Sequence, residues 1–378
     1  MENQNSVAYV GIIGSVSEIL GADNIELVTV GGWQAITKKG EYKVDDLVVV
    51  ATTDAVIPKE LSDQLGVTNY LRKGQRVRTV KLRKVYSECL IVSLNQVFKS
   101  NMSAGGFVEG QDMMETLGIT KYEPPAKVIT LVSGGRKVKY HQNPNFKVYY
   151  KFPNQKNVPD MFNEEDEVVI TRKLHGTNAR YGIVRKKTLS LWDRVKMFFG
   201  NEWAGFEYVY GSHNVEKGSD SQGFYDTDVW KTVANKYDIR GKLWDHVKDT
   251  YEPSDLTQGV VIYGEIYGAG IQKNYEYGLT DVKFVGFDVE VDGVYQPYIN
   301  ETVHFDCLQL PQVELLYQGN WNKEEQDKFV FSNFIEGTKV PHEGIVVKSV
   351  TGARNKVSKV INPDYLIYGE KNNVGDSH

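Results

Sequence analysis

The run TRKLHGTNAR, residues 171–180, follows the apolar triplet VVI and crowds Lys173, His175, Gly176 and Asn178 into six positions. Two readings fit these residue types. One is a strand feeding a turn, since Gly, Thr and Asn are ordinary turn residues. The other is covalent chemistry: a lysine nucleophile at the end of a buried strand, followed by small residues that let a substrate come close. A free lysine has a pKa of about 10.4, so at pH 7 fewer than about one in a thousand is the neutral amine that can act as a nucleophile. Lowering that value by about 3 units takes roughly 4 kcal/mol of differential stabilisation, which a desolvated pocket, neighbouring cations or a bound metal supplies.

Five more stretches follow in order: YVYGSHN (208–214), VIYGEIYG (261–268), FVGFDV (284–289), EGIVVK (343–348) and KVSK (356–359). Each has a plain reading by itself. Glu265 can cap a turn, Phe287 can be core, and EGIVVK can be one more buried strand. Six such stretches in one order are hard to explain that way.

The elements that must carry these residues fall into two halves. Over the first hundred or so residues, five β runs (VAYVGIIGSVSEI, IELVTVGGWQAITKKG, DDLVVVATTDAVIP, VRTVKLRKV and CLIVSL) are separated by turn signals. Five strands over this length fit a small OB-like barrel. A connector rich in Pro and Gly follows, which sets expected boundaries at 1–122, 123–145 and 146–378. The last part mixes apolar strands with two expected helices, 189–199 and 226–247, and reads as α+β with a mainly antiparallel sheet.

Composition narrows the classes. Hydrophobic residues make up 41% and charged residues 25% of the 378, which excludes wholesale disorder. There is no run of about 18 apolar residues, and MENQNSVAYVG lacks the basic start and apolar core of a signal peptide, so the expectation is an intracellular, cytoplasmic protein with no membrane partner. Cys89 and Cys307 form no CxxC pair and are expected to be reduced core residues. The net charge of −5 predicts no polyanion by itself, but its distribution does. Residues 64–87 contain no acid and carry Arg72, Lys73, Arg76, Arg78, Lys81, Arg83 and Lys84; residues 124–159 also lack acids and interleave seven basic residues with Tyr140, Phe146, Tyr149, Tyr150 and Phe152. Such zones suit nucleic acid, with aromatics to stack on bases; a solvated face plus a linker suits them equally. His141, His246, His304 and His342 show no ligand spacing and are expected in surface or satisfied core roles.

The order of the six stretches resembles the covalent nucleotidyltransferase superfamily of ligases and capping enzymes, and within it the ATP-dependent RNA ligases. KLHGTN is similar to their nucleophile motif, in which RNA ligases often carry His where DNA ligases carry Asp. GADNIELVTVGGWQAITKKGEYKVDDLVVV and VKLRKVYSECLIVSL resemble the N-terminal OB domain of the Deinococcus and Naegleria type. Only nineteen residues follow Lys359, so the expected OB module is the one in front. The fold implied is a five-stranded OB-like β-barrel followed by an ATP-grasp-like ligase domain with antiparallel sheets.

The resemblance implies a set of roles. Lys173 attacks the α-phosphate of ATP and holds AMP; AMP passes to an RNA 5′-phosphate; a 3′-OH then attacks and seals. It further implies that His175, Gly176 and Asn178 surround the nucleotide, Phe287 stacks on adenine, Glu265 and Glu343 help hold hydrated Mn²⁺ or Mg²⁺, and Lys356 or Lys359 touches the α-phosphate, with Lys348 a further cation. RNA ends, at breaks in a duplex among other places, are the expected partner of a monomeric enzyme. His213, Arg76, Arg78, Lys81 and Arg83 are the expected RNA contacts. Several positions depart from the pattern. Arg172 precedes the nucleophile where relatives usually have an acid, His213 stands where they offer a stronger cation, and Arg354, Lys356 and Lys359 leave open which pair replaces the usual two lysines. The basic insert RKKTLSLWDRVKMFF is either an RNA grip or a packing helix. A DNA ligase or related polynucleotide adenylyltransferase, and a non-enzymatic RNA-binding protein on an inactive transferase fold, are the alternatives.

Overall fold

The computed structural model describes residues 6–72, 75–98, 106–122, 142–220, 223–224 and 228–374. These form two compact units. One gathers the described residues of Met1–Ala126, Pro153–Phe162 and Lys359–Lys371; the other gathers those of Lys127–Phe152, Asn163–Ser358 and Asn372–His378.

In the first unit, Ala8–Ile12 pairs antiparallel with Leu47–Thr52, which pairs with Cys89–Ser93, while Ser15–Glu18, Ile25–Val30 and Trp33–Lys38 form a second antiparallel sheet. The run IELVTVGGWQAITKKG is therefore a hairpin of two strands, turned at Gly31 (φ 53°), where a side chain would be strained. Alternating burial along Ile25–Val30 and Trp33–Lys38 puts Val28, Val30, Trp33 and Ala35 inward, against Val48, Val50 and Ile91 of the first sheet. This closes the core of an OB-type barrel.

The second unit holds two antiparallel arrays. One is a four-stranded sheet with the order Leu315–Asn320, Glu167–Lys173, Gly344–Ser349, Val357–Ile361, of whose last strand only Val357 and Ser358 are counted with this unit. A seven-stranded sheet is centred on Thr177–Arg185, Gly259–Gly268 and Val282–Val291. Its main core contains Tyr181, Ile183, Ile262, Phe284 and Val289, covered by helices that contribute Val233, Leu243, Val247 and Phe305.

Three expectations need correction. The helix expected over 226–247 is two, Val229–Lys236 and Ile239–Thr250, because Asp238 adopts a left-handed φ of 48° and resets the apolar stripe to Ile239, Leu243 and Val247. Cys89 is buried as expected, but Cys307 is exposed at the end of the Tyr298–Cys307 helix. Phe146 and Tyr149 are buried core, not platforms for bases: Tyr149 packs on Tyr263, Phe287 and Tyr295 with centroids 4.9, 5.0 and 5.8 Å away. Most of the connector, 123–141, and with it His141 and the basic residues Lys127, Arg136, Lys137 and Lys139, lies outside the described residues.

Candidate active site

Lys173 is the last residue of a strand in the four-stranded sheet, and Thr177 is the first of a strand in the seven-stranded sheet. The three residues between them, Leu174, His175 and Gly176, are thus the passage from one sheet to the other. This is why the apolar run ends in turn residues.

Across the first sheet Lys173 pairs with Gly344, so Glu343 lies beside it, and the Lys173 ammonium sits 2.5 Å from Glu343 Oε1. The lysine side chain is 21% exposed and the carboxylate 5%, an ion pair at the lip of a largely dry site. On the second sheet Asn178 pairs with Glu265, which brings Glu265 to the same turn. Burial pushes the Glu265 carboxyl up to about 8; the Lys173 charge opposes that, the Glu343 charge adds to it, and the Gly176 N–H lowers it by hydrogen bonding. Lys173, Glu265 and Glu343 therefore sense one another.

Gly176 is required by close approach. A Cβ there would fall 2.3 Å from Ile266 O and 2.9 Å from Glu265 Cγ. The Gln272 side-chain amide donates to the Gly176 carbonyl, the His175 N–H donates to Tyr277 Oη at 2.7 Å, and Tyr277 donates back to the His175 carbonyl at 3.1 Å. The His175 ring is buried edge-on to Tyr275, whose hydroxyl donates to Pro341 O at 2.7 Å. Tyr275, Tyr277 and Gln272 were not singled out in the sequence; the period-two tyrosines of NYEYG ahead of a glycine are the signal that was there to read.

Phe287 is half-buried and sits at a bulge: Tyr263 pairs with Asp288 and Gly264 with Gly286, leaving Phe287 out of the ladder. Its freed carbonyl accepts from Lys348 at 2.6 Å. Lys348 is buried, with Glu301 at 2.9 Å and Asp288 at 3.9 Å; burial pulls its pKa down, but these two carboxylates outweigh that and raise it. Arg354 joins the same cluster through Asp288 at 2.8 and 2.9 Å and donates to Tyr150 Oη at 3.0 Å. Lys356 is paired with Asp166. Lys359 belongs to the other unit, where its N–H donates to Pro153 O at 3.0 Å. His213 is half-buried, and burial, then Arg180 and Lys151, lower its pKa.

Among the expected RNA contacts of the first unit, three are held by acids from distant sequence. Arg76 pairs with Asp54 at 2.8 Å and lies 4.0 Å over the Tyr122 ring, Arg78 pairs with Glu370 at 2.9 Å, and Lys81 pairs with Asp364 at 3.1 Å. Arg83 is exposed in a turn with φ 48°.

The donor set suits a hard divalent cation. Two carboxylates at one turn, with no further acid or histidine completing a cage among the described residues, leave room for waters and phosphate oxygens, which is how Mg²⁺-type ions are usually held.

Comparison with known proteins agrees with this architecture. No curated protein sequence matches the chain significantly. An OB-fold domain model matches residues 7–94. The structure resembles that of a Naegleria gruberi RNA ligase with PPi (22% identity, TM-score 0.68, covering 97% of this chain and 99% of that one). It is similar also to a lysine-to-alanine mutant of that ligase with ATP and Mn (23%, 0.69, 96% and 98%) and to a lysine-to-methionine mutant with AMP and Mn (22%, 0.68, 96% and 98%). A family model described as RNA ligase matches residues 166–361, more than half of the chain and all six stretches from the lysine turn onward, and the protein belongs to the RNA ligase family.

Proposed function

We propose that the protein is an ATP-dependent RNA ligase that seals a 3′-OH end to a 5′-phosphate through an AMP adduct on Lys173. The observation that carries this reading is the meeting of Lys173, Glu343, Glu265 and the Gly176 backbone at one turn between two sheets. ATP and Mn are named with the similar Naegleria gruberi structures, which supports the choice of nucleotide and metal.

In this reaction the Lys173 amine, once deprotonated, forms a bond to the α-phosphorus of ATP, and the bond to pyrophosphate breaks. AMP is then transferred to an RNA 5′-phosphate, regenerating the lysine. Finally the 3′-oxygen attacks that phosphate and AMP leaves, so each step exchanges one phosphate bond for another. Glu265 and Glu343 would hold a divalent cation, which supplies charge neutralisation at the triphosphate. Gly176 keeps the turn open to a phosphate, and Phe287, held at its bulge by Lys348, would offer its ring face to stack on adenine. Lys356 lies one Asp166 contact away from being a free cation for the α-phosphate; Lys359 and Arg354 are the other candidates for that contact. His175, braced in the turn by Tyr277, and Asn178, opposite Glu265 on the next strand, would line the nucleotide site. The physiological partner is RNA, as the family implies, and nicked duplexes sealed by a monomer are the form we favour.

Sealing assays on matched nicks test this. An RNA strand at the 3′-OH side is expected to be joined in the presence of ATP and Mn²⁺ or Mg²⁺, and equal sealing of an all-DNA nick would reject the RNA assignment in favour of a DNA ligase. Absence of joining and of any AMP uptake would favour the binding-module alternative.

A further inference from the structure

The insert between two strands of the large sheet carries the most exposed apolar surface of its unit. Its helix, Leu191–Phe198, is closed at its start by a reciprocal Ser190–Asp193 cap and buries no residue fully. Leu191, Trp192, Phe198 and Phe199 are 77, 73, 85 and 80% exposed. At 100° per residue they share one arc with Val195, and Arg194 and Lys196 stand at its two borders. A patch of this kind marks an interaction surface.

Charge indicates the occupant. The only acid on the helix, Asp193, is used by the cap and by Lys186 at 2.7 Å. Lys187, Arg194 and Lys196 are exposed and make no ion pair among the described residues. Beside the helix is a cleft of about 210 Å³ lined by Lys186, its partner Asp193, Lys196, Trp203, Trp244 and Lys248, three cations to one acid, with the Lys248 ammonium 5.1 Å from the Trp244 ring centroid. It shares Trp244 and Lys248 with a neighbouring cleft of about 490 Å³. A flat lipid surface would meet the arc but not enter these concave basic walls. Cations interleaved with the exposed aromatics Trp192, Phe198 and Phe199 suit an unpaired nucleic-acid strand, whose phosphates and bases they can take together.

We propose that the insert helix and the adjoining basic cleft form a second contact surface for single-stranded RNA, remote from the sealing point. The distance follows from the fold. The strand Thr177–Arg185 starts at the nucleophile turn and ends at the insert, and its nine residues span about 26 Å. That is the length of about eight stacked nucleotides at ~3.4 Å each. The surface therefore acts on the RNA arm, and it rests on the reading above only for the identity of the polyanion.

The test uses the full chain and oligoribonucleotides of increasing length, with binding read by fluorescence anisotropy and self-adenylylation read in parallel. Two exposed-surface variants are compared, Trp192→Ala/Phe198→Ala/Phe199→Ala and Lys187→Gln/Arg194→Gln/Lys196→Gln. Both are expected to bind strands well beyond about eight nucleotides at least tenfold more weakly, to bind shorter strands as the parent does, and to take up AMP normally. The lysine and arginine set is also expected to flatten the log Kd against log salt slope by about 2, at about 0.7 per lost phosphate contact. Unchanged affinity at every length in both variants would overturn the proposal, as would an equal loss at all lengths. Intact RNA binding with lost binding to anionic phosphatidylserine vesicles, or with lost self-association, would overturn it in favour of a membrane or a protein partner. A parent enzyme that takes up no AMP would count against the catalytic reading and leave the length comparison readable.

Discussion

The Lys173 ammonium lies 2.5 Å from Glu343 Oε1 because Lys173 and Gly344 face each other across adjacent strands. A one-residue slip of that register would turn every side chain of one strand to the other face and separate the pair. Glu343→Ala removes the carboxylate while leaving the strand pairing in place. We expect it to slow AMP uptake by about 10²-fold or more, the usual effect of losing one preorganised charged group at a reacting phosphate or carbonyl. Single-turnover labelling with radioactive ATP measures this, and a loss below about threefold would remove Glu343 from the reacting set.

Gly176→Ala tests whether the turn is built for close approach. The added methyl meets Ile266 O at 2.3 Å, a backbone atom that must move. Overpacking of this kind costs about 1–3 kcal/mol. Displacement of the neighbouring Glu265 is expected to slow AMP uptake at least about tenfold, equivalent to ~1.4 kcal/mol in the barrier. A melting curve and a labelling time course on the same preparation separate the two effects, and parent-like values in both would show that the turn has slack.

The two substitutions also mark what the sequence could and could not disclose. The turn at Lys173, His175 and Gly176 was legible because a strand running into a turn is written in neighbouring residues, and Glu265 and Glu343 because one stands in, and the other immediately before, a strand among the ordered stretches. The tyrosine brace was legible only in part: NYEYG marks the tyrosines, but Tyr277 and His175 are 102 residues apart, and nothing local pairs them. The ion pairs of the basic zone 64–87 were hidden for the same reason, since the acids that hold Arg76, Arg78 and Lys81 are Asp54, Glu370 and Asp364, all outside it. The hairpin turned at Gly31 and the break at Asp238 were likewise hidden, because a left-handed residue interrupts an apolar pattern without changing its composition.

The buried cluster around Lys348 makes a stability prediction. Lys348 touches Glu301 at 2.9 Å and the Phe287 carbonyl at 2.6 Å, with almost no exposure. Glu301→Ala leaves the lysine buried beside Asp288 with one carboxylate fewer, which is expected to cost about 3–5 kcal/mol and to lower the melting temperature by on the order of 10 °C. Replacing both, Glu301→Leu with Lys348→Met, is expected to recover most of that loss. If the single variant melts with the parent, the cluster does not hold the bulge.

His246 Nε2 and His304 Nδ1 share a hydrogen bond of 2.7 Å between the helices Ile239–Thr250 and Tyr298–Cys307. Burial, and then the His246 charge, push His304 down to about 4. The unfolded chain, with an ordinary histidine near 6.5, binds the extra proton first as pH falls, so this contribution to stability is present above about pH 6.5 and is lost toward pH 4. Urea titrations at pH 7 and pH 5 are expected to show a smaller decrease in His304→Leu than in the parent. An identical decrease would mean that the pair does not couple to folding.

The central claim is that the Lys173 amine nitrogen supplies the electron pair for the first bond to phosphorus. Intact-mass spectrometry after exposure to ATP and Mn²⁺, followed by peptide mapping, tests it most directly. We predict a gain of one adenylyl group on the parent, located at Lys173, and no gain on Lys173→Ala; an adduct on another residue, or one that persists in Lys173→Ala, would contradict the account.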